Sequence, residues 1–324
     1  MRKSSLWLRF AYCLGTTLLI FTATWFYQRA ETPPWSQELL NIPPLTGSVT
    51  QANHPPSKQT ATAAFRFVSY NLKNWLTSSQ NPEKSNESKK AIVEILLDSD
   101  ADIIGLSEIG SEADVLEIQK LLKEAGKDLP HFYHTGGTDP IRHLAILSRF
   151  PIISTAQPDI TIKETEHSML RGILDVSIQI HDQTIRFIGI HLKSKRIVPD
   201  YDQEEIRIHE AEHVRKYIDS IFLKHPETHL IAYGDFNDHI ESLSTKTILG
   251  NYRSQNYLAP VHISDQNGDH WTHYFSSQES YSRIDFITVS KSLKPHINQK
   301  QSRIIATQNW QQASDHRAIM VSFD

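Results

Sequence analysis

Cysteine is almost missing from this sequence. Cys13 is the single one in 324 residues, so no intrachain disulfide can close and no cysteine-rich zinc site can form. It lies in an apolar N-terminal stretch, where packing or contact with lipid accounts for it better than a catalytic thiol does. A basic excess is missing too. The net charge is -4 with histidine neutral, which is not the balance of a protein that grips nucleic acid mainly through the phosphate backbone. That leaves room only for a local basic groove. There is no internal repeat, and no hinge-like linker after residue 64. What remains is ordinary globular composition, 39% hydrophobic and 22% charged, with enough chain for a large core.

The first thirty residues stand apart from the rest. Arg2, Lys3 and Arg9 precede an uncharged stretch of 18 residues, Phe10 to Tyr27. A membrane-spanning helix needs about 20. Trp25, Phe26 and Tyr27 suit the far interface, and the heavier positive charge before the stretch places the N-terminus inside. The expectation over 1–30 is a single-pass anchor with the bulk of the chain extracytoplasmic. A cleaved signal peptide, giving a secreted protein, is the competing reading, but "FYQRA" is too bulky for a small-x-small cleavage site. Residues 31–63 hold three Pro-Pro pairs, which oppose helix and central strand and favour an extended tether. The folded domain is expected over 64–324.

Within it, "FRFVSY" at 65–70 alternates like a strand. Residues 89–100 and 115–126 have helical spacing, the second closed by a glycine. The runs 101–108, 144–152, 229–236, 282–290 and 318–323 read as strands. "GILDVSIQI" and "TIRFIGIHL" flank "HDQ", a three-residue hairpin signal, and 202–223 reads as a long charged helix. At least eight strands mix with at least three helices. The expected fold is α/β (α+β), two mixed β-sheets packed face to face with helices on the outer faces.

One pattern repeats across these strands. They end in Asn71, in Glu108, in His191, in Asp235 with Asn237, and in Asp285, and "SDH" puts Asp315 and His316 before the last strand. Any one of these alone is a turn residue, because Asn and Asp bond their own backbone and tolerate left-handed conformations. Six such ends of one chemical type need another reason. Mg²⁺ and Mn²⁺ want hard oxygen ligands such as Glu and Asp. A phosphate under attack gains charge that Asn and a cationic His can stabilise. An attacking water must be oriented and deprotonated, which suits Asp or His.

With "GDFN" and the final "SDH" in this order, the sequence resembles the endonuclease/exonuclease/phosphatase superfamily over residues 65 to 324. "HLAILSRFPI" and "GIHLKSK" resemble its bacterial members. That superfamily includes pancreatic-type deoxyribonucleases, abasic-site endonucleases, neutral sphingomyelinases and inositol polyphosphate 5-phosphatases. The resemblance implies a two-sheet sandwich with the active site at one edge. It implies Glu108 as the principal Mg²⁺ (or Mn²⁺) ligand, with Asn71 positioning metal and phosphate and Asp315 completing the metal or acid–base shell. It implies His191 on the scissile phosphate, Asp235 on the attacking water, Asn237 on the transition state, and Asp285 holding His316. Whether Asp235 or His316 is the base stays open, as does the number of metal ions. The implied activity is metal-dependent hydrolysis of a phosphodiester, nuclease-like because "HLKSK" resembles that branch. The alternative is a phospholipid or inositol-phosphate esterase with the same core site. The implied partners are a nucleic acid or phospholipid headgroup as substrate and the membrane through the N-terminal helix, with nothing pointing to a protein partner.

Lys193, Lys195 and Arg196 follow His191 and are candidates for flanking phosphates. Arg142 and His143, Trp271 and His273, and Arg283 are candidates for the pocket wall. For each, surface charge or ordinary packing is the plainer reading. "HEAEH" at 209–213 fits the H-E-x-x-H zinc-protease pattern, with His209 and His213 one turn apart and Glu210 as base. The helix around it is densely charged and no third ligand follows, so a solvent-facing helix with paired charges accounts for it better. A binding module that has lost catalysis should lack an acid or amide at a key position, and none is lacking.

Overall fold

Phe65 and Phe67 alternate with Arg66, and their strand buries both rings between two sheets. This computed structural model describes residues 64–77, 83–163, 165, 167–196 and 202–324. All fall in one compact unit, Thr60–Asp324. The expected anchor and Pro-rich tether lie outside the described residues. Among the described residues, no helix is long and apolar enough to cross a membrane.

The chain runs β1 (Phe65–Trp75), α1 (Asn86–Asp98), β2 (Ile103–Ile109), α2 (Glu112–Glu124), β3 (His131–Thr135), β4 (His143–Ser148) and β5 (Ile152–Ala156). It continues through β6 (Ile173–Ile180), β7 (Gln183–His191), α3 (Gln203–Lys224), β8 (Leu230–Asp235), α4 (Leu243–Leu249) and β9 (Leu258–Pro260). It closes with β10 (His273–Phe275), β11 (Ser280–Ser282), β12 (Asp285–Ser290), β13 (Ile297–Ile304), α5 (Trp310–Ala313) and β14 (Ile319–Phe323). Local chemistry sets the helix starts: Ser85 accepts from Ser88 N at 3.2 Å, and Asp202 accepts from Glu204 N at 2.8 Å.

Two mixed six-stranded sheets result, in the orders β13-β14-β1-β2-β4-β3 and β5-β6-β7-β8-β12-β9, with β10 and β11 as a separate hairpin. The expected sandwich is the observed fold. Phe67, Phe187, Ile146, Tyr233 and Val321 fill the space between the sheets. Ile92, Leu96 and Ile118 of α1 and α2 cover one outer face, and Val214 and Ile218 of α3 cover the other. The strand expected over 144–152 divides at Pro151 into β4 and β5, which lie in different sheets. The hairpin turn at 181–183 is one residue tighter than expected. Ile180 pairs Gln183 across His181 and Asp182, with His181 at φ 53°.

One feature of the topology builds the site. Each sheet contains one parallel pair, β1 with β2 and β7 with β8, and antiparallel partners around it. Parallel strands deliver their C-terminal ends to the same edge, here Asn71, Glu108, His191 and Asp235. Antiparallel neighbours deliver their beginnings there, so β12 contributes Asp285 and the lead into β14 contributes Asp315 and His316. The polar residues at strand ends therefore meet at one edge of the sandwich.

Candidate active site

Asp235 is 2% exposed and stands at the centre. Gly234 before it has φ 130°, and a Cβ there would run into the Ile190 carbonyl. Only glycine lets β8 approach β7 so closely, which sets Asp235 opposite His191 in the ladder. Asn71 donates its amide to Asp235 Oδ2 at 3.1 Å. His191 Nε2 lies 3.6 Å and His316 Nε2 3.7 Å from the same oxygen. The other oxygen accepts from Asn237 N at 2.8 Å, and the Asn237 amide donates to Leu192 O at 2.9 Å. Asn237 holds φ 52° in doing so.

The two histidines differ in their support. His316 Nδ1 is 2.8 Å from Asp285 Oδ2. Asp285 is itself the cross-strand partner of Asp235. Burial works against a charged His316, but Asp285, Asp235 and Asp315 outweigh it and push the imidazole up to about 10. Among the described residues His191 Nδ1 has no hydrogen-bond partner, and burial holds this ring well below the ordinary histidine value, helped by Arg171, His316 and Arg142. Burial and the Asp285 charge raise Asp235 to about 7.

Glu108 sits at φ 57°, in the left-handed region. Its Oε2 accepts from Asn74 N at 3.1 Å, and its Oε1 lies 3.5 Å from Asn71 Nδ2 and 4.0 Å from His191 Nε2. Asp315 Oδ2 lies 3.5 Å from Lys73 Nζ. Asn71 turns its nitrogen toward the two carboxylates and its oxygen to Lys73 N at 3.0 Å, so in this arrangement it orients carboxylates. The ligand atoms of Asp235, Asp285 and His316 lie within 4.8 Å of one another, and so do those of His273, Asp315 and His316. Several carboxylates thus crowd one edge; their charge raises His316, and together with burial, the larger cause, the Asp285 charge raises Asp235. Glu108, the expected principal ligand, is in neither group, while Asp315 is in one. A divalent cation relieves such crowding, so the carboxylate donors fit a hard metal ion.

The structure brings Asn71, Glu108, His191, Asp235, Asn237, Asp285, Asp315 and His316 together. Arg142 and Lys193 stand beside them. Arg142 Nε donates to Asn74 Oδ1 at 2.8 Å, and Lys193 Nζ donates to Ser194 O and Oγ at 3.4 Å. His273 packs its ring 4.5 Å from that of His316. The other candidates have structural partners. Lys195 pairs with Asp238 at 2.7 Å, His143 bonds Gly110 O at 2.7 Å, and Arg283 donates to Val261 O at 2.9 Å and Ile263 O at 3.2 Å. Trp271 lies under Arg317, 3.8 Å from its guanidinium, and against Trp310.

Several supporting residues carry no pattern in the sequence. Thr272, fully buried, accepts from Asp285 N at 3.2 Å and Ile284 N at 3.1 Å, and so fixes the start of β12. Ser314 donates to Asn71 O at 2.8 Å and accepts from His316 N at 3.1 Å, tying the "SDH" segment to β1. Lys84, near Glu108 and Asp315, is lowered to about 8 by burial and the Lys73 charge. The expectation for α3 needs correction. It is not merely a solvent-facing helix of paired charges, because Arg207, Glu210 and Arg215 are buried. Arg207 reaches Asp238 at 3.0 Å and Arg215 reaches Ile248 O at 2.9 Å. His213 Nε2 is 2.6 Å from Asp159 O, and neither His209 nor His213 belongs to a metal-capable cluster among the described residues.

A family model described as endonuclease/exonuclease/phosphatase matches residues 57–310, most of the chain. The chain belongs to the endonuclease/exonuclease/phosphatase family. Its members are hydrolytic phosphoesterases. Solved structures share the fold. Truncated Caenorhabditis elegans TDP2 is 15% identical, with 80% of this chain and 97% of that one covered at a TM-score of 0.57. Sphingomyelinase C from Streptomyces griseocarneus is 14% identical, covering 81% and 100%, at 0.58. The human Nocturnin catalytic domain, solved with a bound sulfate anion, is 18% identical, covering 81% and 94%, at 0.57. At these identities the likeness is one of fold. No curated protein matches the sequence.

Proposed function

We propose that this family member hydrolyses a phosphodiester by in-line attack of water, with nucleic acid as the substrate class and a divalent cation as cofactor. The observation that carries the reading is the environment of Asp235. One buried carboxylate faces Asn71 and two histidines, and one of those histidines is locked by a second carboxylate. Asp235, raised to about 7, is matched to taking a proton from water at neutral pH. His316, pushed up to about 10, keeps its proton there and offsets charge on the phosphate oxygens, which favours Asp235 over His316 as the base. His191, neutral and buried, would hydrogen-bond the phosphate. Asn237 holds its amide at the same edge for the transition state. Glu108 and Asp315, the more open carboxylates, would hold Mg²⁺ or Mn²⁺. When bound, such an ion supplies positive charge for the leaving oxygen. As water's oxygen bonds to phosphorus, the bond to the leaving oxygen breaks, and water's proton passes to Asp235.

The apolar stretch Phe10 to Tyr27 supports a tethered enzyme with its catalytic domain extracytoplasmic. A reporter fused after Asp324 should then lie outside the cytoplasm, and a protease-protected cytoplasmic reporter would reverse that topology. The function itself is tested on the full chain purified in detergent, with bis(p-nitrophenyl) phosphate, DNA, RNA, sphingomyelin and a phosphoinositide. EDTA should abolish turnover, and Mg²⁺ or Mn²⁺ should restore it. Full activity in EDTA would end the metal mechanism, and turnover of sphingomyelin alone would replace the nucleic-acid assignment.

A further inference from the structure

Glu108 is placed by a bulge. In the ladder of β2 with β4, Ser107 pairs with Leu144 and Ile109 with His143. Two steps along β2 thus match one along β4, and Glu108 is the extra residue, which is how a bulge re-aims a side chain. It holds φ 57°, a conformation that residues with a Cβ rarely adopt. The facing stretch of β1 is irregular too. Its register with β2 shifts between Asn71 and Trp75, and Lys73 and Asn74 hold φ 50° and 60°. Such backbone persists only where its surroundings fix it.

Before the bulge, Ser107 is fixed in two ladders, opposite Asn71 and Leu144. Beyond it, Gly110 is the fixed point. Gly110 N donates to Trp75 O at 2.7 Å. Gly110 O meets two imidazoles, His134 Nε2 of β3 at 2.8 Å and His143 Nδ1 of β4 at 2.7 Å. The two rings are half-buried and lie edge to face, with centroids 4.9 Å apart. A Cβ on Gly136 would strike the His143 ring, so the chain after β3 closes tightly over it.

A carbonyl oxygen only accepts, so both ring nitrogens must carry hydrogen. That fixes the tautomers of the neutral rings as Nε2–H in His134 and Nδ1–H in His143. Burial lowers His134, which keeps that ring neutral near pH 7. The two N–H groups occupy both lone pairs of one oxygen. The peptide before Gly110 is thus held by Trp75 and the peptide after it by the histidines. With both ends of the bulge pinned, Glu108 has no freedom to relax into a regular strand.

We propose that His134 and His143 are positioning residues, which clamp the Gly110 carbonyl and so hold Glu108 in its bulge, aimed at the metal. This rests on the reading of Glu108 as a ligand of the divalent cation.

The test is Mn²⁺ affinity, measured by titration calorimetry on the full chain in detergent after its metal is stripped. Phe at either position keeps a ring and removes the donor. Gln at 134 and Asn at 143 keep a donor near the Nε2 and Nδ1 positions and remove the ring. His134→Phe and His143→Phe should together weaken Mn²⁺ binding by about 10- to 100-fold, the scale of losing support behind a metal ligand. His134→Gln and His143→Asn should stay within a few-fold of wild type. Glu108→Gln is the reference and should lose most of the affinity. Phe variants that bind like wild type while Glu108→Gln does not would overturn the clamp and leave the metal reading standing. Gln and Asn variants that lose as much as the Phe variants would also overturn it, since the rings and not their donors would then matter. Unchanged affinity in Glu108→Gln overturns the ligand reading and the clamp with it. Wild type alone gives a check that needs no variant to fold. Nitrogen NMR of labelled histidines should show the Nε2–H form of His134 and the Nδ1–H form of His143, and the opposite tautomer in either ring overturns the clamp.

Discussion

Two histidines approach the same oxygen of Asp235 from opposite flanks, at 3.6 Å and 3.7 Å, and they are not equivalent. His316 rests on Asp285 and has carboxylates around it, so it is held charged. His191 is buried with no partner for Nδ1 among the described residues, and burial first, then the cations near it, holds it neutral. The distance to Asp235 barely differs, yet the charge state is opposite. What surrounds an imidazole decides what it can do. One flank supplies positive charge for the reacting phosphate. The other leaves its positive charge on arginine and lysine, further from the chemistry.

Removing the carboxylate behind His316 should break this contrast most strongly. Asp285→Asn takes away an anion that favours the protonated ring, so the His316 value must fall from about 10 toward the ordinary range. Turnover should drop about 100-fold, the scale of losing one positioned proton or charge partner. An NMR titration of the metal-free protein checks the shift directly, and an unchanged His316 would show that Asp285 does not hold it.

A smaller effect is expected on the other flank. His191→Gln keeps a hydrogen-bond donor without a charge to lose, and should cost about 10-fold in kcat/KM. In the same NMR series the His191 ring should stay neutral through the range where an ordinary histidine protonates. A His191 that titrates like a solvent-exposed histidine would erase the contrast.

The smallest effect is expected from Glu210→Gln, which sets an NH₂ against one of the two N–H groups the carboxylate now accepts. Activity on a single-phosphate substrate should change only a few-fold, because Glu210 touches loops and no reacting atom. A loss as large as that of Asp285→Asn would contradict this supporting role.

These contrasts also mark how far sequence reading reaches. Asn71, Glu108, His191, Asp235, Asp285 and His316 were legible because strand ends show as apolar runs that stop, and parallel and antiparallel neighbours carry those ends to one edge. The support behind them was not. Thr272 and Ser314 act through single hydrogen bonds to distant backbone, which leave no periodicity. Glu210 and Arg207 sit in a helix whose charge density suggests solvent, and only tertiary contacts bury them. Arg171 looks like any cation before a strand until the loop 136–139 closes over its backbone. Edge strand β13, "INQKQSRI", was missed because one side of it faces solvent and its polar residues mask the alternation.

The central claim is that Asp235 handles the proton of the attacking water. The direct measurement is hydrolysis of bis(p-nitrophenyl) phosphate by full-length wild type and Asp235→Asn, side by side in Mn²⁺. Asp235 must be ionised to accept a proton, so the wild-type rate should rise with pH through about 7. The variant should be slower by about 100- to 10,000-fold. A variant that turns over as fast as wild type would make Asp235 a turn residue and contradict the mechanism.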